Sequence, residues 1–156
     1  MRECLDTSVV VKWFKEGETN ENEAEYIRQS IVSFEKEFII NEWVLLEIVR
    51  AFVKSGFTKK RIDYAIEYMN GLVNTGAIRM ILVSEVKDLA QTYEIDYNLY
   101  ASDAVHLATA IHTSSNIFWV ADKHFKKAKI VEMAFGFGVE IKDLSELEIY
   151  EKEDIK

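Results

Sequence analysis

The sequence has no proline, a single cysteine and only six glycines among its 156 residues. The missing proline and scarce glycine exclude long linkers and low-complexity spacers, so loops are expected to be short. One cysteine, Cys4, excludes an internal disulfide and a thiol-based zinc site, and suits a reducing cytosol. Long apolar runs are missing as well. No window approaches the roughly 18 to 20 apolar residues of a membrane span, and the N-terminus lacks the basic and apolar regions of a signal peptide. A cytoplasmic protein without membrane contact is expected. There is no glycine-rich phosphate loop, Gly136-Phe137-Gly138 being too short to form one, and no G-x-S-x-G nucleophile elbow. Basic excess is absent too: 19 lysines and arginines against 27 acidic residues give a formal charge of −8, which excludes a general nucleic-acid coat.

What is present is a globular composition, 49% apolar and 29% charged. A chain of this length buries roughly 68 to 70% of its unfolded surface and stays folded without a staple. We expect one domain over residues 1–145 and an acidic tail over 146–156. Strand-like and helix-like segments alternate, the pattern of an α/β fold with a parallel sheet of four to five strands and helices on both faces. Strands are expected near 2–5, 38–40, 78–83, 117–121 and 139–141. Asp6, Thr7 and Ser8 cap a first helix carrying Val9, Val10, Trp13 and Phe14. Ala24, Ile27, Ile31 and Phe34 form the stripe of a second. Residues 42–54 form a helix apolar nearly all round, which reads as largely enclosed. Thr58 caps a helix ending at Thr75 and Gly76, and Ser84 caps a short one before a tyrosine-rich connection from Glu94 to Tyr100. Ser102 opens another helix, and a basic helical segment starts at Lys123.

Four acidic residues stand out by position. Asp6 and Asp122 each lie past the carboxyl end of an expected parallel strand, where α/β sheets bind ligands, and Asp103 lies in the first turn of a helix. Taken singly, each also reads as an ordinary helix cap. Glu47, with Arg50 and Lys54, forms the only polar stripe of the 42–54 helix, which suits either a solvated face or the wall of a cleft.

The segments Leu5-Asp6-Thr7-Ser8-Val9, Asn41-Glu42-Trp43-Val44-Leu45-Leu46-Glu47, Ser102-Asp103-Ala104-Val105-His106-Leu107-Ala108 and Trp119-Val120-Ala121-Asp122-Lys123-His124-Phe125 resemble the successive motifs of the PIN-domain family, and within it the VapC-like toxins and their archaeal relatives. The resemblance spans nearly the whole chain. It implies a pocket where Asp6, Glu47, Asp103 and Asp122 converge on Mg²⁺ or Mn²⁺ and cleave RNA by metal-activated water, leaving a 3′-hydroxyl and a 5′-phosphate. Asp6 and Asp103 are then the main ligands, Asp122 a direct or water-mediated one, and Glu47 orients the attacking water or a second ion. Hard cations suit such oxygen ligands. The resemblance further implies a toxin with a protein antitoxin, and a homodimer. The chain departs from the family at Val120, where many members carry Thr or Ser; Ser8 and Ser102 are the hydroxyls near the site instead. A solitary RNA-processing nuclease, a non-catalytic interaction module of the same fold and, less compatible with the first motif, an acid-pocket phosphatase are the alternatives.

The basic residues Lys123, Lys126 and Lys127 follow a proposed ligand directly and are candidates for holding RNA phosphates, as are Lys54, Lys59, Lys60 and Arg61; solvated helix faces are the competing reading. The three histidines make no metal-ligand spacing, His106 and His112 lying on different helix sides, and each reads as a packing or surface residue.

Overall fold

In the computed structural model, which describes residues 1–149, five strands form one parallel sheet of order β3-β2-β1-β4-β5. These are β1 (Arg2–Leu5), β2 (Glu37–Asn41), β3 (Ile78–Ile81), β4 (Ile117–Val120) and β5 (Glu140–Asp143). The sheet buries both faces, because alternate residues point to opposite sides and a parallel sheet is covered twice. Cys4, Ile39, Phe118 and Val120 face one core and Leu5, Phe38, Ile40 and Trp119 the other. Phe118 is fully buried, with its ring 5.0 Å from that of Phe125. Phe118→Ala is expected to cost about 3–5 kcal/mol, seen as a lower urea midpoint at unchanged slope.

The helices divide between these faces. Helices α1 (Thr7–Val11), α2 (Glu21–Val32), α3 (Trp43–Lys54) and α4 (Lys59–Asn74) pack on the Leu5 side. Helices α5 (Val83–Tyr97), α6 (Ala101–His112) and α7 (Ala128–Gly136) pack on the Cys4 side. Among the described residues no helix is long and apolar enough to cross a membrane. Leu144 is buried and Leu147 packs against the same core as α1 to α4, so the domain's packing continues past β5. The part of the expected 146–156 tail from residue 150 onward lies outside the described residues.

Several expected elements differ from those observed. Helix α1 ends at Val11, and Trp13 and Phe14 sit in a following turn, their N–H groups donating to the carbonyls of Val10 and Val11. There Trp13 Nε1 donates to the Ala24 carbonyl at 2.8 Å and Phe14 packs edge-on against Phe52, which holds both aromatics without a helix. Phe34 leaves the α2 stripe: it lies beyond the C-cap with φ 55° and is 63% exposed. Helix α3 is not enclosed. Val44, Ile48 and Phe52 recur every four residues on the buried side, whereas Leu46 and Val53 point outward and stay exposed. Ser84 does not cap α5, because that helix begins at Val83 and Glu85 Oε2 accepts the Leu82 N–H at 3.0 Å. The expected connection from Glu94 is helical as far as Tyr97, whose ring packs 5.9 Å from that of Tyr93 one turn earlier. The basic segment is a short 3-10 turn, Lys123–Phe125, separated from α7 by Lys126 and Lys127.

Candidate active site

Strands β1 and β4 are neighbours, with Leu5 opposite Trp119. Each chain leaves the sheet one or two residues later, so Asp6 and Asp122 stand at the same carboxyl edge. Asp6 continues the ladder through its N–H to the Trp119 carbonyl at 3.0 Å and caps α1, its Oδ2 accepting the Ser8 N–H at 3.1 Å. Ser8 Oγ also donates to Asp6 Oδ2 while accepting the Ala121 N–H at 3.0 Å, which ties the two strand ends together. Ser8→Ala leaves that N–H without its partner and is expected to cost about 1–3 kcal/mol, measured by chemical denaturation.

Asp6, Glu47, Asp103 and Asp122 line one cleft of about 360 Å³. Glu47 enters from α3, Asp103 from the first turn of α6 and Asp122 from the start of the 3-10 turn. Ser8 lines this cleft as well; Ser102 is half-buried and lies outside its lining. Lys123, Lys126 and Lys127 are exposed and also lie outside it, and Lys126 pairs with Asp143 at 2.8 Å. The lysines that do line the cleft are Lys12 and Lys15, at the end of α1 and in the turn after it.

The electrostatics are those of crowded negative charge. Burial pushes the Asp6 carboxyl above its ordinary range; the His106 ring and the Ser8 bonds oppose the rise and the Glu47 charge adds to it. Burial also raises Asp103, and Asp6 and Asp122 add to the effect while His124 opposes it. Carboxylates raised in this way gain when a cation joins them. Asp6 Oδ1, Glu47 Oε2 and Asp103 Oδ1 accept no hydrogen bond from the described residues, so each acid keeps an oxygen for a ligand. Among the described residues no three His, Cys, Asp or Glu side chains are grouped so as to hold a metal ion by themselves. An open set of carboxylates nonetheless fits Mg²⁺ or Mn²⁺, which keep waters and take only one or two protein carboxylates.

Two histidines that read as packing or surface residues contact the acids of this cleft from outside its lining. His106, 1% exposed, follows Asp103 by one helical turn on α6, and its Nε2 bonds to Glu47 Oε1, lies 3.2 Å from Thr7 Oγ1 and lies 3.9 Å from Asp6 Oδ1. Thr7 Oγ1 donates to the same Glu47 oxygen at 3.0 Å. On the other side of the ring, Asn41 Nδ2 faces His106 Nδ1 at 2.8 Å, while Asn41 Oδ1 accepts the Trp43 N–H at 2.9 Å. That backbone bond fixes which way the amide points, so Asn41 presents an N–H to Nδ1 and the ring proton belongs on Nε2, toward Glu47. Burial alone pushes His106 down, but the Glu47 bond and the Asp6 charge outweigh it and its pKa lies above the ordinary value. The neutral ring that Asn41 selects donates to Glu47 through Nε2. His124 Nδ1 lies 3.1 Å from Asp103 Oδ2 and 3.4 Å from Asp122 Oδ2, joining the other two acids. In the sequence the available signal for His106 was its spacing of three from Asp103; for His124 it was adjacency to the strand-end Asp122.

The sequence pattern of the PIN domain matches residues 4–131. No curated protein matches the sequence significantly. Among solved structures, VapC20 of Mycobacterium tuberculosis is 16% identical with a TM-score of 0.64, over 83% of this chain and 97% of its own. VapBC2 of Rickettsia felis is 14% identical with a TM-score of 0.59, over 92% of this chain and 98% of its own. FitAcB of Neisseria gonorrhoeae is 15% identical with a TM-score of 0.59, over 93% and 99%. At these identities the likeness is one of fold.

Proposed function

The chain belongs to the PIN domain family, and from that membership and the acidic cleft we propose that it is a divalent-metal-dependent endoribonuclease, the toxin of a toxin-antitoxin pair. The observation that carries this reading is the meeting of Asp6, Glu47, Asp103 and Asp122 in one cleft at the carboxyl edge of the sheet. The names of the similar folds support it. VapC20 is a toxin that cleaves the sarcin-ricin loop, and VapBC2 was crystallised on a DNA fragment from its promoter. A Klebsiella pneumoniae structure of similar fold is a toxin-antitoxin complex. A cytoplasmic location, a protein antitoxin and a homodimer belong to the same proposal, as does a catalytic domain spanning residues 1–145.

Asp6 and Asp103 are the residues that would hold Mg²⁺ or Mn²⁺, each keeping an oxygen without a hydrogen bond, and Asp122 would reach it directly or through water. When bound, the cation would supply positive charge that offsets the acidic wall and would polarise the phosphodiester. Glu47 would present Oε2 either to a second ion or to the water that attacks phosphorus in line, taking that water's proton as the P–O3′ bond breaks and the 3′-oxygen leaves to be protonated by solvent, while Thr7 and His106 fix Oε1. Ser8 keeps Asp6 and the β4 end in register. Val120 is an apolar side chain, fully buried, and brings the cleft no hydroxyl.

The test is incubation of purified protein with mixed single-stranded RNA and Mn²⁺ or Mg²⁺, beside a chelator control and an Asp6→Asn control. Cleavage products ending in 3′-hydroxyl and 5′-phosphate, absent from both controls, are expected. Intact RNA under every condition overturns the reading.

A further inference from the structure

We propose that the RNA strand leaves the acidic cleft along the end of α1, its phosphates taken by Lys12, Lys15 and Arg61, with Glu18 occupying the two lysines when RNA is absent. This rests on the ribonuclease reading and names where that site holds its substrate.

An acidic cleft repels the phosphates on either side of the one being cut, so cations must stand next to the carboxylates. Lys12 and Lys15 do so, since they line the same cleft. The cleft opens into a second hollow that shares Lys15 and Glu18 with it. That hollow shares Phe57 and Arg61 with a third, flanked by Trp13 and Tyr64. Through these shared residues the three adjoin as a trench that passes from carboxylates to cations to aromatic faces, with Glu16 beside Glu18 on its middle part.

Three of the cations that line the trench, Lys12, Lys15 and Arg61, are already placed. The Lys12 side chain is only 11% exposed, its Nζ donating to the Thr19 carbonyl at 2.6 Å and lying 3.7 Å from Glu18 Oε2. Lys15 Nζ lies 3.8 Å from Glu18 Oε1. One carboxylate thus spans two ammonium groups, an oxygen to each, as the two free oxygens of a phosphodiester would. At 3.7 and 3.8 Å the pairs are loose, so an RNA phosphate can replace Glu18. Arg61 lies with its guanidinium 3.7 Å over the Phe57 ring and Nη2 3.4 Å from the Phe14 carbonyl, which holds a planar cation rigid beside the exposed Tyr64. Stacked guanidinium and aromatic faces suit unpaired bases and the backbone joining them. The opposite rim is less suited, because Lys123, Lys126 and Lys127 lie outside the lining of the acidic cleft.

The experiment measures binding of a fluorescein-labelled single-stranded RNA to the full chain by anisotropy, in chelator to stop cleavage, across a salt series. The Lys12→Gln, Lys15→Gln double variant is expected to lose at least about tenfold in affinity at low salt and to flatten the salt slope by about 1.4, at about 0.7 per phosphate contact on a single strand. Lys15→Gln alone, which leaves the Lys12 bond to Thr19 intact, flattens it by about half as much. Glu18→Gln tightens binding several-fold. Unchanged affinity and slope in the lysine variants overturn the proposal, leaving the trench to a protein segment. The same loss from Lys126→Gln with Lys127→Gln instead overturns it in favour of the opposite rim. If wild-type protein cleaves RNA while the lysine variants bind normally, this path alone fails; if it neither binds nor cleaves RNA, the ribonuclease reading fails with it.

Discussion

Asp103→Asn is expected to lower RNA cleavage by on the order of 10³-fold while making the metal-free protein more heat-resistant. Both effects have one cause. Burial, then the charges of Asp6 and Asp122, raises the Asp103 carboxyl above its ordinary 3.8. The folded protein therefore holds that proton more tightly than the unfolded chain, and stability falls as pH rises from 3.8 through the raised folded value. Above that value the whole cost is present; below 3.8 it is gone. Asparagine carries no charge to desolvate, so in chelator at neutral pH the variant melts higher, by about 2–4 °C per kcal/mol recovered in a domain of this size. The gain should shrink as the melts are repeated toward pH 4. Undiminished cleavage, or a gain independent of pH, contradicts this account.

His106→Leu is expected to lower both cleavage and Mn²⁺ affinity by about 10–100-fold, the usual cost of removing a group that orients a ligand. Leucine fills most of the buried space but cannot donate to Glu47, and the orientation set by Asn41 ends at an apolar side chain. Thr7 is then the remaining donor to Glu47 Oε1 among the described residues. His106→Gln, whose amide can still donate, should recover part of the Mn²⁺ affinity, read by electron paramagnetic resonance of free Mn²⁺. Equal loss in both variants points to a packing role, and full Mn²⁺ affinity in the leucine variant removes His106 from the account.

The sheet and the strand-end acids were legible because each depends on local pattern. Short apolar segments ending in Asp6 and Asp122 are visible in sequence, and the pairing of β1 with β4 does the rest. Glu47 was legible as the acid of the only polar stripe, shared with Arg50 and Lys54, on its helix. His106 was not, because a histidine among Ala104, Leu107 and Ala108 carries no local sign of its partners; Asn41 and Glu47 reach it from β2 and α3, 65 and 59 residues away. Lys12 and Lys15 were hidden for a related reason. Their approach to the cleft depends on α1 stopping at Val11 and the chain turning there, whereas Lys123, Lys126 and Lys127, nearest to Asp122 in sequence, fall outside the cleft lining. The outward Leu46 and Val53 of α3 show the same limit, since apolar residues all round a helix do not reveal how many neighbours cover it.

The most direct measurement is a crystal structure of the protein grown with millimolar Mn²⁺, collected at a wavelength where manganese scatters anomalously. The account predicts an anomalous peak in the cleft in contact with carboxylate oxygens of Asp6 and Asp103, lost in crystals of Asp103→Asn. Manganese bound elsewhere, or a cleft without an anomalous peak at that concentration, contradicts it.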